Sequence, residues 1–133
     1  MEKYVGGIHI VVRKENTYLV LRRSQNDRFE PGTWDLPGGG IGIGEQPLVA
    51  GARETLEEAG VVINTDFTLL DAWAFEIDNH WSLETLVLAD YKSGETILSP
   101  EHDAFQWVTK EALLLLEAKG IHIKKLIEHI NKI

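Results

Sequence analysis

The stretch from Gly39 to Val61 reads GGIGIGEQPLVAGARETLEEAGV, and its pattern decides the fold. The residues from Pro47 to Ala59 favour a helix, and proline suits the first helical position. Gly60 suits the position directly after a helix, where the backbone commonly turns left-handed. The sequence therefore predicts one helix over Pro47–Ala59, preceded by a glycine-rich loop.

The predicted helix has two faces. Four apolar residues recur at spacings of four and three and form a stripe that is expected to face the core: Leu48, Ala52, Leu56 and Ala59. At about 100° per residue, Glu54, Glu57 and Glu58 point roughly 180° away from that stripe. We therefore expect the three carboxylates to project together, away from the core.

The glutamate cluster has two interpretations. Like charges one helical turn apart destabilise an isolated helix by about 0.2–0.5 kcal/mol per pair. An acidic face in water, partly neutralised by Arg53, is the structural interpretation. The functional one is a Mg²⁺ site, since this hard cation takes oxygen ligands and bridges carboxylates to phosphates. The preceding glycines allow close backbone approach and lead to a helix N-terminus that can face an anion, which favours the functional interpretation.

The spacing of these residues resembles the Nudix box. Gly39, five residues, Glu45 and seven further residues lead to the run Arg53–Val61, RETLEEAGV. The one departure is Thr55, where the family usually has a bulkier aliphatic residue, and threonine can still pack there. Two flanking segments resemble the family as well: Trp34–Gly39 before the box, and Glu101–Trp107 as an acidic stretch before a late tryptophan.

The resemblance implies an α/β fold, the Nudix-type α/β/α sandwich with a mixed β-sheet, as a single domain over residues 1–133. It also implies hydrolysis of a nucleoside diphosphate linked to another group X. The implied cofactor is Mg²⁺, with Mn²⁺ as a substitute ion.

Site residues follow from the same resemblance. Glu57 and Glu58 would be the principal metal ligands, with Glu54 as a further ligand or as the base that activates water. Gly39 would approach the metal through its backbone. Arg53 would orient the glutamates, and Glu45 would tie the loop to the helix, for example by bonding Arg53.

A second candidate for the base lies outside the box. Family members differ in whether a box glutamate or one from another loop takes the proton, and Glu101 is the outside candidate here. A solvated loop acid beside His102 and Asp103 is the alternative interpretation of Glu101.

Substrate recognition is expected from residues around the box. The candidates are Arg23 at the end of a strand, the backbone of Gly38 and Gly39, and Trp81, which we expect to be exposed in a turn. Strand-end arginines are often merely solvated, and tryptophans on strands are more often core.

Three histidines, His9, His122 and His129, lie in apolar contexts without acidic partners at ligand spacing. We therefore assign none of them to metal.

The remaining chain predicts a mixed sheet with two further helices. Tyr4–Val12 and Thr17–Arg22 are expected to form a hairpin, and Ser24–Gly44 a long loop with at most short strands. Further strands are expected over 67–77, 83–91 and 105–108, and helices over 110–117 and 121–132.

Composition limits the partners. The formal net charge is −8, which disfavours a nucleic-acid polymer as partner because its backbone requires a basic surface. The chain has no cysteine, which agrees with a reducing cytoplasm, the compartment we expect. No apolar run is long enough to span a bilayer, and the stretch from Met1 to Val12 is interpreted as a strand and not as a signal peptide.

The leading functional hypothesis is a nucleoside triphosphate pyrophosphohydrolase that acts on a small nucleotide, including oxidised ones. A hydrolase of a dinucleotide, sugar nucleotide or coenzyme is the enzymatic alternative. A nucleotide sensor without catalysis is the alternative of another class, and the intact box argues against it. A homodimer is compatible with the family, and the apolar C-terminal pattern from Ile121 to Ile133 would serve it, although core packing explains the same residues equally well.

Overall fold

The computed structural model describes residues 4–133, so Met1, Glu2 and Lys3 of the N-terminal stretch lie outside the described residues. Seven strands and three helices follow one another along the chain, and a short 3-10 turn over Ile130–Lys132 follows the last helix. Their bounds are β1 Tyr4–Lys14, β2 Thr17–Arg23, β3 Trp34–Asp35, β4 Gly38–Gly40, α1 Pro47–Ala59, β5 Val62–Ile77, β6 His80–Ser93, β7 His102–Val108, α2 Lys110–Leu115 and α3 Ile121–Ile127.

The strands form one mixed sheet in the order β3-β2-β1-β6-β5, with β4 paired to β1 and β7 paired to β2. β1 and β6 run parallel, whereas the other pairs are antiparallel. The predicted hairpin of β1 and β2 is confirmed by the pairing of Arg13 with Tyr18 and of Lys14 with Thr17. The predicted long loop contains only the two short strands β3 and β4.

Side chains that alternate along the strands fill a core on each face of the sheet. On one face Ile8, Ile10 and Val12 pack with Ala50 and Ala59 of α1. On the other face, residues from β1, β2 and β6 pack with α2 and α3: Val11, Val20, Leu86, Leu88, Leu113, Ile123 and Leu126. Successive strand residues point to opposite faces, so one strand can supply both cores. The α/β/α sandwich with a mixed sheet is therefore confirmed.

Helix α1 begins and ends where the sequence predicted. Gln46 is the N-cap and Pro47 the first helical residue. Gly60 has φ of 70°, and its amide donates to the carbonyl of Leu56, which closes the helix. A residue with a side chain would be strained in this left-handed conformation.

The predicted buried face of α1 was wrong for Leu48 and Leu56, whereas Ala59 is buried and Ala52 packs partly against the core as predicted. Leu56 is 52% exposed and Leu48 38% exposed, whereas the buried residues are Ala50, Gly51, Thr55, Glu58 and Ala59. The reason is close packing of α1 on β1: a Cβ atom at Gly51 would lie 2.7 Å from Cδ1 of Ile10. Small side chains therefore face the sheet, and the larger leucines are turned outward.

Thr55 is fully buried within this face, and its hydroxyl donates to the carbonyl of Gly51 at 2.7 Å. Its polar atom is thus satisfied, which explains how threonine packs at this position.

The other elements differ from the prediction mainly at their ends. β5 starts at Val62 instead of Phe67, and β6 extends to His80 and Ser93 on its two sides. The last predicted helix ends at Ile127, and its final residues form the 3-10 turn. Between residues 4 and 133, none of the helices combines the length and hydropathy needed to cross a membrane.

Candidate active site

Close packing of α1 on β1 and β4 brings two of the three glutamates against the sheet. Glu58 is only 5% exposed, and one of its oxygens lies 3.4 Å from the amide of Gly38, which donates to it. A Cβ atom at Gly39 would lie 2.7 Å from the carboxyl carbon of Glu54, so only glycine leaves room for that carboxylate. The glycines before the helix therefore form a cradle for the carboxylates.

The expectation that the three carboxylates project together away from the core was wrong. Glu58 lies on the buried face, and the side chain of Glu54 is 17% exposed, whereas that of Glu57 is 57% exposed. Compared with the prediction, the observed buried face of α1 is rotated toward the small residues. Glu58 therefore faces the sheet. Glu54 and Glu58 thus line the wall of a cleft, whereas Glu57 lies outside its lining.

Burial changes the protonation of the two inner glutamates. Burial, together with the nearby Glu101 and Glu54 carboxylates, raises the pKa of Glu58 to about 9, although the hydrogen bond from Gly38 opposes the shift. Burial also raises the pKa of Glu54, while hydrogen bonds from Arg53 oppose this. Two carboxylates in low dielectric need positive charge beside them to ionise at neutral pH.

Arg53 holds the outer side of the cluster. Its Nε and Nη2 donate to both oxygens of Glu45 at 2.8 and 2.9 Å, which is a bidentate pair. Its Nη1 donates to Glu54 at 3.1 Å and to Glu57 at 3.2 Å, and Nη2 also donates to the carbonyl of Gly40. The hydrogen bonds from Arg53 to Glu45 lower the pKa of Glu45 to about 2. One guanidinium therefore fixes the loop and two helix glutamates relative to one another.

A cleft of about 600 Å³ opens beside these residues. Gly38, Gly39, Glu54 and Glu58 form one wall, and side chains from β1, β2, β5, β6 and α3 complete it. This volume lies within the range of small-molecule sites in proteins.

Arg23 lines this cleft and is held in place. It donates to Asp35 from Nε and Nη2 at 3.2 and 3.0 Å, and to Asp27 from Nη1 at 3.1 Å. Its guanidinium also lies 5.2 Å from the ring centre of Phe29, another lining residue. A guanidinium has five N–H donors, so two remain for a ligand.

Glu101 is exposed and lines the cleft, and it precedes the first residue of β7. Its carbonyl accepts from the amide of Ser24, which fixes the loop at this point. Its neighbour His102 is buried, with Nδ1 at 4.0 Å from Glu58, and burial lowers the pKa of His102.

Trp81 does not line the cleft. It lies near the start of β6 and faces Tyr4, with ring centres 6.5 Å apart. The next residue, Ser82, lines the cleft, and successive strand residues point to opposite sides. The structure therefore corrects the prediction that Trp81 contacts a substrate in this cleft.

The histidines have no acidic partner at ligand spacing along the sequence, but the fold brings an acidic side chain to each of them. His122 Nδ1 lies 2.9 Å from Asp35, and His129 Nε2 lies 2.7 Å from Asp71. His9 Nδ1 lies 3.4 Å from Glu84. The partners come from strands far away in sequence, so spacing along the chain does not reveal them.

The buried charges around His122 stabilise one another. Burial alone would lower the pKa of His122, but Asp35 and Glu84 raise it to about 9. Burial alone would raise the pKa of Asp35, but His122, His9 and Arg23 hold it well below its ordinary value. Burial lowers the pKa of His9, and the charge of His122 lowers it further.

Comparison with known proteins gives a consistent family match. A family model described as the NUDIX domain matches residues 3–130. The NAD-capped RNA hydrolase NudC of Shigella dysenteriae is 30% identical over 123 residues, which are 91% of this chain and 45% of that protein. NudC of Salmonella typhimurium is 31% identical with the same coverage. The chain thus spans about half the length of the curated relatives it matches.

Solved structures are similar over nearly the whole chain. A MutT protein from Methanosarcina mazei has a TM-score of 0.82 at 28% identity, covering 98% of this chain and 95% of that one. A MutT NUDIX hydrolase from Burkholderia pseudomallei has a TM-score of 0.83 at 24% identity, covering 96% and 98%. The second match supports the fold alone.

Proposed function

Because the chain belongs to the Nudix hydrolase family, we propose that it cleaves the diphosphate linkage of a nucleoside diphosphate derivative with Mg²⁺ as cofactor. The observation that carries this proposal is the cradle of Gly38 and Gly39 around Glu54 and Glu58. In the cradle, the carboxylates of Glu54 and Glu58 lie on the wall of a cleft large enough for a nucleotide.

The donor set fits Mg²⁺. Glu54, Glu57 and Glu58 would supply carboxylate oxygens, and Gly39, which lies against Glu54, would supply a carbonyl oxygen. Glu58 is buried with one long hydrogen bond, and burial raises its pKa to about 9. Oxygen ligands and phosphate oxygens are the partners that Mg²⁺ prefers. When bound, the ion would reduce the negative charge on the phosphates and make phosphorus more open to attack by water.

The chain's own residues would prepare the reaction around that ion. Arg53 keeps Glu54 and Glu57 in fixed positions, so that ordering them costs little when substrate binds. Arg23 has two N–H donors left for a phosphate oxygen or a base edge. The amide of Gly38 lies beside Glu58, where the loop meets the cleft.

Either Glu54 or Glu101 would take the proton from the attacking water. Glu54 lies inside the cleft with a raised pKa, which suits a general base. Glu101 is exposed and lines the same cleft near Glu58. Separate Glu54→Gln and Glu101→Gln variants, assayed across pH, distinguish them: the base is the residue whose loss removes the acidic limb of the rate profile.

Our leading substrate class is a nucleoside triphosphate, including oxidised ones, with a monophosphate and pyrophosphate as products. A dinucleotide is the second candidate, and the similarity to proteins named NAD-capped RNA hydrolase favours it. We further propose that the substrate is a small nucleotide and that the protein acts in the cytoplasm. Dimerisation through the C-terminal helix also stays a proposal, although Ile123 and Leu126 are buried in the core of the same chain.

A panel of nucleotides with Mg²⁺, separated by chromatography, tests the function. Pyrophosphate and a monophosphate from a triphosphate support the leading class, and two monophosphates from NAD support the second. Glu57→Gln and Glu58→Gln should each abolish turnover. Arg13→Lys is a suitable control, because Arg13 forms an ion pair with Asp90 away from the cleft. Nucleotide binding without any product would instead support a nucleotide sensor.

A further inference from the structure

Three side chains from distant parts of the chain converge within the cleft, apart from the Nudix box. His9 comes from β1, Glu84 from β6 and His122 from α3, and each lines the cleft. Their exposed fractions are 6%, 7% and 2%. One nitrogen or oxygen of each lies within 4.8 Å of the others. Two imidazoles and one carboxylate are a donor set that suits divalent transition metals better than Mg²⁺.

The atoms that face one another have no other partner among the described residues. His9 Nδ1, Glu84 Oε2 and His122 Nε2 are all buried and accept or donate no hydrogen bond. Glu84 forms ion pairs of 3.4 and 3.7 Å with the two imidazoles, but none of these contacts is a hydrogen bond, whereas buried polar atoms are normally hydrogen-bonded. A shared ion would satisfy all three at once.

The separations agree with a shared ion. Glu84 Oε2 lies 3.4 Å from His9 Nδ1 and 3.7 Å from His122 Nε2. Two ligands bound to tetrahedral zinc at about 2.1 Å lie about 3.4 Å apart. The distances from the carboxylate to each imidazole are therefore compatible with one shared ion.

Asp35 orients one of the imidazoles in the way that metal sites require. Both of its oxygens lie within 3.0 Å of His122 Nδ1, which donates to them, so Nε2 is the nitrogen directed at Glu84. Arg23 donates to Asp35 in turn and holds it. A carboxylate that fixes a ligating histidine from behind is a recurrent feature of zinc centres.

From this convergence we propose that His9, Glu84 and His122 form a second metal site, which binds one Zn²⁺ ion with a remaining position open to the cleft. The two imidazole rings are stacked, with centres 3.4 Å apart and an angle of 16° between them. Because nitrogen lone pairs lie in the ring planes, at least one ring turns out of this arrangement when the ion binds. The site is independent of the function proposed above, since it shares no residue with the box.

Zn²⁺ titration of the Mg²⁺-saturated chain tests the proposal by calorimetry. We expect one Zn²⁺ per chain, and an affinity at least 10-fold lower in His9→Gln and in Glu84→Gln. Asp35→Asn should weaken binding by about 10–100-fold, as loss of an orienting partner does. Glu57→Gln is the matched control on the box and should leave the Zn²⁺ affinity unchanged.

Co²⁺ provides a second measurement that needs no variant. Four-coordinate Co²⁺ at the site gives intense visible absorption, and added Zn²⁺ should remove it in a one-to-one titration. The proposal is overturned if the parent binds no Zn²⁺ in excess Mg²⁺. It is also overturned if folded His9→Gln and Glu84→Gln variants, checked by circular dichroism, bind Zn²⁺ as tightly as the parent, or if Glu57→Gln alone removes binding.

Discussion

At the scale of single residues, burial has a large effect on the pKa of the Glu58 carboxylate. It lies against the sheet with one hydrogen bond of 3.4 Å, and burial raises its pKa to about 9. In the unfolded chain the same group ionises near its ordinary value, so without metal the folded state must keep the proton. The stability associated with this group is present below the unfolded pKa and is lost as pH rises toward 9.

Glu58→Gln should therefore stabilise the metal-free protein at pH 8 while it abolishes activity. Glutamine needs no proton to remain neutral, so we expect a free energy of unfolding higher by about 1–3 kcal/mol. The gain should shrink toward pH 5, which is close to the ordinary pKa of 4.5 in the unfolded chain, because the folded and unfolded states then differ less in the protons they bind. Urea unfolding in a chelator at the two pH values measures this.

Glu57→Gln is the control for that comparison, because it makes the same substitution on the same helix at a side chain that is 57% exposed. Equal stability of parent and Glu58→Gln at pH 8, or a lower stability of the variant, would contradict the buried, poorly neutralised state of Glu58.

Arg53 acts through geometry as much as through charge. It donates to Glu45, Glu54 and Glu57 at the same time, which a lysine ammonium on a single flexible stem does not reproduce. Arg53→Lys should lower activity by about 10–100-fold and weaken the apparent Mg²⁺ affinity. Steady-state rates across Mg²⁺ concentrations measure both. Arg13→Lys changes a similar ion pair outside the cleft, and an equal loss of activity there would rule out a specific role of Arg53.

At the scale of the element, α1 shows what sequence patterns can and cannot predict. Pro47 and Gly60 marked its ends correctly, because proline and glycine act locally on the backbone. The buried face was predicted from the largest apolar residues, but close packing on β1 selected Gly51 and its small neighbours instead. Helical periodicity carries no information on how near the partner strand lies, so the rotation of the helix could not be predicted.

Gly51→Ala should destabilise the protein although alanine is the better helix former. The added Cβ would lie 2.7 Å from Ile10, and such overpacking typically costs about 1–3 kcal/mol. The higher helix propensity of alanine offsets at most about 1 kcal/mol of this. Thermal or urea unfolding measures the difference. Leu56→Ala on the exposed face is the control, and a larger loss there than at Gly51 would contradict the packing of α1 described above.

The same limit explains why the sequence did not reveal the acidic partners of the histidines. Asp35 and His122 are 87 residues apart, and their contact depends on the packing of α3 against the short strand β3. A motif read along the chain finds ligands that share one helix, as the box glutamates do. Ligands that three separate elements bring together become visible only when the sheet order is known.

At the scale of the whole molecule, the net charge of −8 bears on substrate size. The curated relatives are named for NAD-capped RNA, yet this chain spans about half of their length. Because like charges repel, we expect cleavage of an NAD-capped RNA to be slower than cleavage of free NAD. Added salt should narrow that difference by screening. Rates on both substrates at two ionic strengths check this, and a capped-RNA rate that falls steeply with salt would indicate a basic RNA surface instead.

The sheet topology and the box together account for the position of the proposed Mg²⁺ site at the box glutamates. The most direct test asks whether hydrolysis depends on Mg²⁺ bound there. The measurement is the rate of product formation from the substrate found in the nucleotide panel, followed against Mg²⁺ concentration for the parent, Glu58→Gln and Glu76→Gln. Glu76 is the control, because it is exposed on β5 and does not line the cleft. We predict no turnover without Mg²⁺, saturation with Mg²⁺ for the parent and for Glu76→Gln, and no turnover for Glu58→Gln. Turnover in chelator, or a Glu58→Gln variant with the parent's rate and Mg²⁺ dependence, would contradict a metal centre at the box.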